Sequence, residues 1–243
     1  MKGANADVGI DQAGPDSRNV WQARAVFYAL FANVLSIPCS EAWGDQVLGL
    51  PMAEMLRDMG YDVTMVDLWE AVLGEAGPPG SARRSDYYSR LAECFQRDFL
   101  VPLKRDMIPL GACAYLGDDE DKEPRMTFFE GLYLRFGFDW RKALAGTNCR
   151  WPNEPEHAIL ILTMLAIISQ RIAASMDEDT GMDTLSKYVQ LLQEIFAMAQ
   201  PWLAQCFANV ASRAGDRFYR FFGRFMSDFL RTDQQQWELD IPA

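Results

Sequence analysis

One histidine, no Cys-x-x-Cys pair and no glycine-rich phosphate loop occur in this 243-residue chain, and each absence excludes a chemistry. A structural or catalytic zinc site needs several ligands at close spacing, such as His-Glu-x-x-His, and His157 has no second histidine to join. The cysteines Cys39, Cys94, Cys113, Cys149 and Cys206 are scattered. They lack both the paired spacing of thiolate metal sites and the density of disulfide-stapled secreted domains, so they read as reduced, mostly buried thiols. No Ser or Cys nucleophile can be paired with His157 from its position, and no dinucleotide or P-loop fingerprint is present. The chain is therefore expected not to be an enzyme, with no catalytic residue, no metal ligand and no stably bound cofactor.

Long apolar runs and basic charge are also scarce. Ala158 to Ile168, interrupted only by Thr163, spans 11 residues, about half of what a bilayer requires. Residues 1–16 are rich in Gly, Ala and Asp and lack the basic end and apolar run of a secretory signal. A cytoplasmic protein without membrane insertion is expected. Lys plus Arg number 23 against 34 Asp plus Glu, a net charge of −11. That balance repels phosphate backbones, which excludes nucleic acid as a partner, and it attracts basic peptide segments.

What is present is helical spacing. Strand-type alternation and Asn-Gly or Asp-Gly hairpin turns are nearly absent, whereas Val20, Ala23, Phe27, Leu30, Phe31, Val34 and Leu35 recur by threes and fours after a candidate N-cap, Ser17. Further helices are expected over 40–59, 62–75, 84–98, 124–136 and 156–176, with two or three across 182–231 divided at Pro201 and near Gly215. The 156–176 segment is apolar nearly all round and should be central. Irregular segments are expected at 100–123 and 146–155, and loops this long inside a domain are commonly functional. With 49% apolar and 23% charged residues, the expectation is an all-α, single-domain helical bundle over 17–232, flanked by a disordered 1–16 segment and a 233–243 tail.

Several residues invite a functional reading beside a plain one. His157, among Glu154, Pro155 and Glu156 at a helix start, could be a base or a pH switch, but holding that start in place is the commoner role. The stripe Phe218, Phe221, Phe222, Phe225 and Phe229 reads as core rather than a partner groove, and Arg213, Arg217, Arg220, Arg224 and Arg231 as a solvated face with intrahelical pairs. The acidic loop Asp118, Asp119, Glu120 and Asp121 either attracts a basic peptide or is simply solvated. Arg83-Arg84 lies mid-chain with no apolar stretch behind it and is not an export signal.

Three segments in order resemble the TorD/DmsD family of redox-enzyme maturation chaperones. Ile108-Pro109-Leu110-Gly111-Ala112-Cys113-Ala114-Tyr115-Leu116 is similar to that family's Pro-rich stretch ending in Ser-x-aromatic-Leu. Leu132-Tyr133-Leu134-Arg135-Phe136-Gly137-Phe138 resembles its Tyr-x-x-x-Gly-Phe helix end, and Asn153-Glu154-Pro155-Glu156-His157 its Glu-Pro-x-Asp-His motif. The likeness runs over about residues 18 to 232. Cys113 stands where Ser is usual, Glu156 stands for Asp with one residue fewer before His157, and Ile161 replaces an acid, which marks a divergent branch.

The resemblance implies a cytosolic chaperone that binds the N-terminal signal, commonly of twin-arginine type, and the apo catalytic subunit of a molybdenum- or tungsten-cofactor oxidoreductase until cofactor loading. On that reading Pro109, Cys113, Tyr115, Tyr133, Phe136, Glu154, Pro155, Glu156 and His157 form the partner site. Glu154, Glu156 and the 118–121 run would meet the arginines, and alanine at Glu156 and His157 should weaken binding without unfolding. Contact with the molybdenum cofactor or a guanine nucleotide would be transient. The alternatives are an assembly chaperone for a non-exported, nitrate-reductase-type client, a small-molecule or nucleotide-binding helical protein, and a structural subunit of a larger complex. A monomer is expected, with a dimer formed by segment exchange as the alternative.

Overall fold

The computed structural model describes residues 15–36, 40–100, 107–116, 122–145, 154–176 and 182–240. They form an all-α bundle in the order α1 Pro15–Ser36, α2 Glu41–Leu48, α3 Met52–Asp58, α4 Val63–Ala76, α5 Ala82–Phe95, a π-helical turn Gln96–Leu100, α6 Cys113–Leu116, α7 Lys122–Arg135, α8 Trp140–Ala145, α9 Ala158–Ser175, α10 Met182–Arg213 and α11 Arg217–Asp240. Among the described residues the only β pairing is an isolated antiparallel bridge between Gly111 and His157.

Local chemistry fixes the ends. The side chains of Ser40, Asp62 and Ser81 accept from the backbone N–H of Trp43, Met65 and Arg84, capping α2, α4 and α5. Pro51 divides the expected 40–59 helix into α2 and α3. Gly137, at φ +64°, turns the chain after α7, a conformation open to glycine and strained for other residues. α1 begins at Pro15 rather than at a Ser17 cap, which suits proline because the first helical N–H needs no acceptor.

α9 is the hub. Eleven of its eighteen residues are buried, including Ile161, Leu165, Ile168 and Ile172, and it packs along α1 and α10. By length and composition it could cross a membrane, but 61% of it is covered by the rest of the bundle, as a core helix would be. α11 closes the bundle against α10, α4 and α1. Its phenylalanine stripe is core: Phe225 and Phe229 meet Phe27 and Phe31 of α1 at ring separations of 5.2 to 5.5 Å, mostly edge-on, the favoured aromatic geometry. Of the arginines beside it, Arg224 and Arg231 pair with Asp228 within the helix. Arg217 instead reaches Glu75 of α4, and Arg213 the carbonyl of Met107.

Two further boundaries differ from expectation. α10 runs unbroken through Pro201. Pro201 and Ala197, whose carbonyl loses its helical donor, are both exposed, so water satisfies what the proline removes. Buried Ile195, Phe196, Ala199, Trp202 and Leu203 hold the helix on its other face. α11 likewise continues to Asp240 instead of yielding to a tail at 233, because Asp233 is buried and accepts from Arg24 Nε and Tyr28 Oη of α1, each at 2.5 Å.

The α10–α11 contact is close enough to require a glycine. A Cβ on Gly223 would lie 2.4 Å from the backbone N of Ala211 and 2.9 Å from Val210. Gly223→Ala is expected to force the helices apart and destabilise the fold by about 1 to 3 kcal/mol, although alanine favours helix. Urea unfolding checks this; an unchanged or raised midpoint would mean the helices separate at little expense.

Candidate functional site

The irregular segments after α5 and before α9 meet as two short extended stretches. The first is anchored where Ile108 N–H donates to the Asp98 carbonyl at 2.8 Å. Beyond it, Ala158 N–H donates to the Leu110 carbonyl at 2.8 Å and Ala112 N–H to the Glu156 carbonyl at 3.1 Å, either side of the Gly111–His157 bridge. Gly111 lies close to the Glu154 carboxylate: a Cβ there would come within 2.5 Å of Oε2, so the Glu154 side chain would have to swing aside.

Side chains lock this crossing from three directions. Arg125 of α7 donates from Nε to Glu156 Oε1 at 2.8 Å, and both residues are buried. Tyr133, also of α7, donates its hydroxyl to the Pro155 carbonyl at 2.7 Å. Burial, with the Glu156 charge adding to it, holds that phenol well above its usual range, so it stays a donor. On the outer side Cys113 Sγ donates to Glu154 Oε1 at 2.9 Å, and burial together with the Glu154 carboxylate pushes the thiol up to about 11. It therefore remains a protonated donor rather than a nucleophilic thiolate. Tyr115 donates to the Pro109 carbonyl at 2.7 Å and stacks on Trp202 of α10 at 6.2 Å.

His157 is wholly buried, and its Nδ1 accepts the Ile159 N–H at 3.3 Å as the N-cap of α9. Desolvation pushes its pKa down to about 3, so the ring is neutral and, with Nδ1 accepting, carries its proton on Nε2.

The structure thus gathers Pro109, Cys113, Tyr115, Tyr133, Glu154, Pro155, Glu156 and His157 at one crossing. Besides Tyr133, three of them are buried within it rather than set on its outer face. Glu156 is paired with Arg125 and is 4% exposed, and Pro155 and His157 are buried inside the crossing. Double alanine substitution at Glu156 and His157 would strike the fold itself, not only a binding surface. Pro109, Cys113, Tyr115 and Glu154 stay partly exposed and form its outer face. The 118–121 acidic loop lies outside the described residues.

Phe136 belongs elsewhere. Beyond the end of α7 it lies 6.4 Å from the Tyr188 ring of α10, lining a cleft of about 620 Å³ with Arg135, Arg171, Lys187, Leu191 and Glu194. Sequence reasoning missed this cleft. Its one local signal is Arg171, the sole charged residue of the mostly apolar α9. Among the described residues no group of three or more His, Cys, Asp or Glu side chains converges as metal ligands would.

No protein-family model matches the chain, and neither the curated proteins nor the solved structures hold a match to it.

Proposed function

We propose that this protein is a maturation chaperone of the TorD/DmsD kind, holding the N-terminal segment of an apo molybdo- or tungsto-oxidoreductase in the cytoplasm while its cofactor is loaded. The observation that supports the reading is convergence. The three segments resembling that family, though not contiguous in sequence, are tied by the Gly111–His157 bridge and the Tyr133–Pro155 hydrogen bond. A likeness confined to scattered short motifs would give no reason for them to touch. The outer face of the crossing, Pro109, Cys113, Tyr115 and Glu154, is the surface on which the client's segment rests in this proposal.

The neutralisation of Glu156 by Arg125 favours one branch of the proposal, a client whose recognition does not depend on two arginines. Of the crossing's carboxylates among the described residues only Glu154 is partly exposed, and one exposed ion pair contributes about 0.2 to 1 kcal/mol, at most about fivefold in affinity. The test is a tryptophan-fluorescence titration, using the seven Trp residues, with twin-arginine signal peptides and controls carrying glutamine for both arginines. Saturable binding with a less than fivefold preference for arginine is expected, and Glu154→Gln should abolish the preference while leaving the binding. A hundredfold preference would restore the arginine-reading branch. Absence of binding by every peptide, with the folded client N-terminal domain also failing, would remove the chaperone reading.

A further inference from the structure

The cleft at the end of α7 reverses the charge of the protein around it. In a chain of net charge −11, Arg135, Arg171 and Lys187 line one cleft, and none has an ion-pair partner within 4.0 Å among the described residues. They come from α7, α9 and α10, so the fold rather than a local run of sequence brings them together. The one acid in the lining, Glu194, already accepts from Gln190 Nε2 at 3.2 Å. Three cations with no ion-pair partner among the described residues repel one another, and an anionic ligand relieves that repulsion as it binds.

The shape selects the kind of anion. Thr184, Lys187, Tyr188, Leu191 and Glu194 recur at helical spacing along one side of α10. From the first to the last is about 15 Å at 1.5 Å per residue, the reach of about four to five residues of extended chain. The floor is apolar: Leu191 is buried, and Phe136 and Tyr188 present half-buried rings. A compact inorganic anion would use the cations and leave the elongated apolar floor bare.

From this we propose that the cleft is a docking groove for an acidic segment of a partner protein, its carboxylates meeting Arg135, Arg171 and Lys187 and its apolar side chains resting on Phe136, Tyr188 and Leu191. The groove is separate from the crossing before α9, and the proposal does not rest on the chaperone reading: either can fail while the other stands.

The probe is a fluorescein-labelled peptide, Gly-Glu-Leu-Glu-Phe-Glu-Leu-Gly, followed by fluorescence anisotropy beside a control with glutamine at each glutamate. Saturable binding of the acidic peptide is expected, with affinity reduced at least about tenfold in the control. The same loss is expected in the Arg135→Gln/Arg171→Gln/Lys187→Gln variant. All three side chains are exposed, so this variant should unfold at the wild-type midpoint. Arg135→Lys/Arg171→Lys should retain most of the binding, and Tyr188→Ala should weaken it separately. Equal binding of the glutamine control, or unchanged affinity in the triple variant, overturns the proposal. Displacement of the peptide by inorganic phosphate or ATP at matched ionic strength and equal concentration also overturns it, because the cleft would then read small anions.

Discussion

Glu156→Ala is expected to destabilise the protein by about 3 to 5 kcal/mol, because it removes the carboxylate facing a buried guanidinium. Arg125 and Glu156 are 8% and 4% exposed and meet at 2.8 Å. A charge held in that setting is tolerable only with its counter-charge, since water cannot take over the lost interaction without opening the site. The Glu156 backbone carbonyl also accepts from Ala112, so a shift of this residue loosens the bridge that joins the two irregular segments. Domains of ordinary stability have about 5 to 15 kcal/mol in total, which brings the variant close to unfolding at room temperature.

Urea unfolding with an unchanged slope and a lowered midpoint is the expected signature. The paired replacement Arg125→Met/Glu156→Leu should recover most of the loss, since it removes both charges and leaves apolar groups of similar reach. A loss below about 1 kcal/mol in Glu156→Ala would mean that water reaches Arg125 freely, and the crossing would then be a solvated surface. The same arithmetic governs any binding measurement: a peptide that no longer binds Glu156→Ala has met an unfolding protein, so Glu154→Gln is the variant that isolates recognition.

The helical architecture was legible because its signal is local and repeated. The phenylalanines from Phe218 to Phe229 recur at the period of a helix, and all five are buried. The apolar run after His157 likewise becomes the hub helix α9. Boundaries were less legible where tertiary contacts override a local breaker. Pro201 stays within α10 because the groups it disrupts face water, and α11 passes 233 because Asp233 is tied to Arg24 and Tyr28, 209 and 205 residues away.

The candidate site divides in the same way. The segments that cross were recognisable as motifs, yet nothing in the motifs says which side chains are spent on holding the crossing together. Glu156 finds its cation 31 residues earlier, on α7. A pairing between an extended stretch and a helix of unrelated sequence leaves no local trace, whereas a lone charged residue in a mostly apolar helix does. Arg171 was such a trace, and it marks the second cleft.

His157 should make stability fall between neutral and mildly acidic pH. The wholly buried ring has its pKa pushed down to about 3, against about 6.5 in the unfolded chain. Below pH 6.5 the unfolded state binds a proton that the native state refuses. Stability therefore declines as pH falls, by about 1.4 kcal/mol per unit, until the native ring itself protonates near pH 3. From pH 7 to pH 5 this group alone should remove about 2 kcal/mol. His157→Asn keeps an acceptor at the N-cap of α9 and has nothing to titrate, so its profile should be flatter by that amount even if its stability at pH 7 is lower. Carboxylates titrate in both proteins and cancel in the difference. Because the chain has one histidine, that difference reports on His157 alone. Parallel urea-unfolding profiles from pH 7 to pH 5 would mean that the native ring takes up its proton as readily as the unfolded chain does, so the crossing would open to water in mild acid.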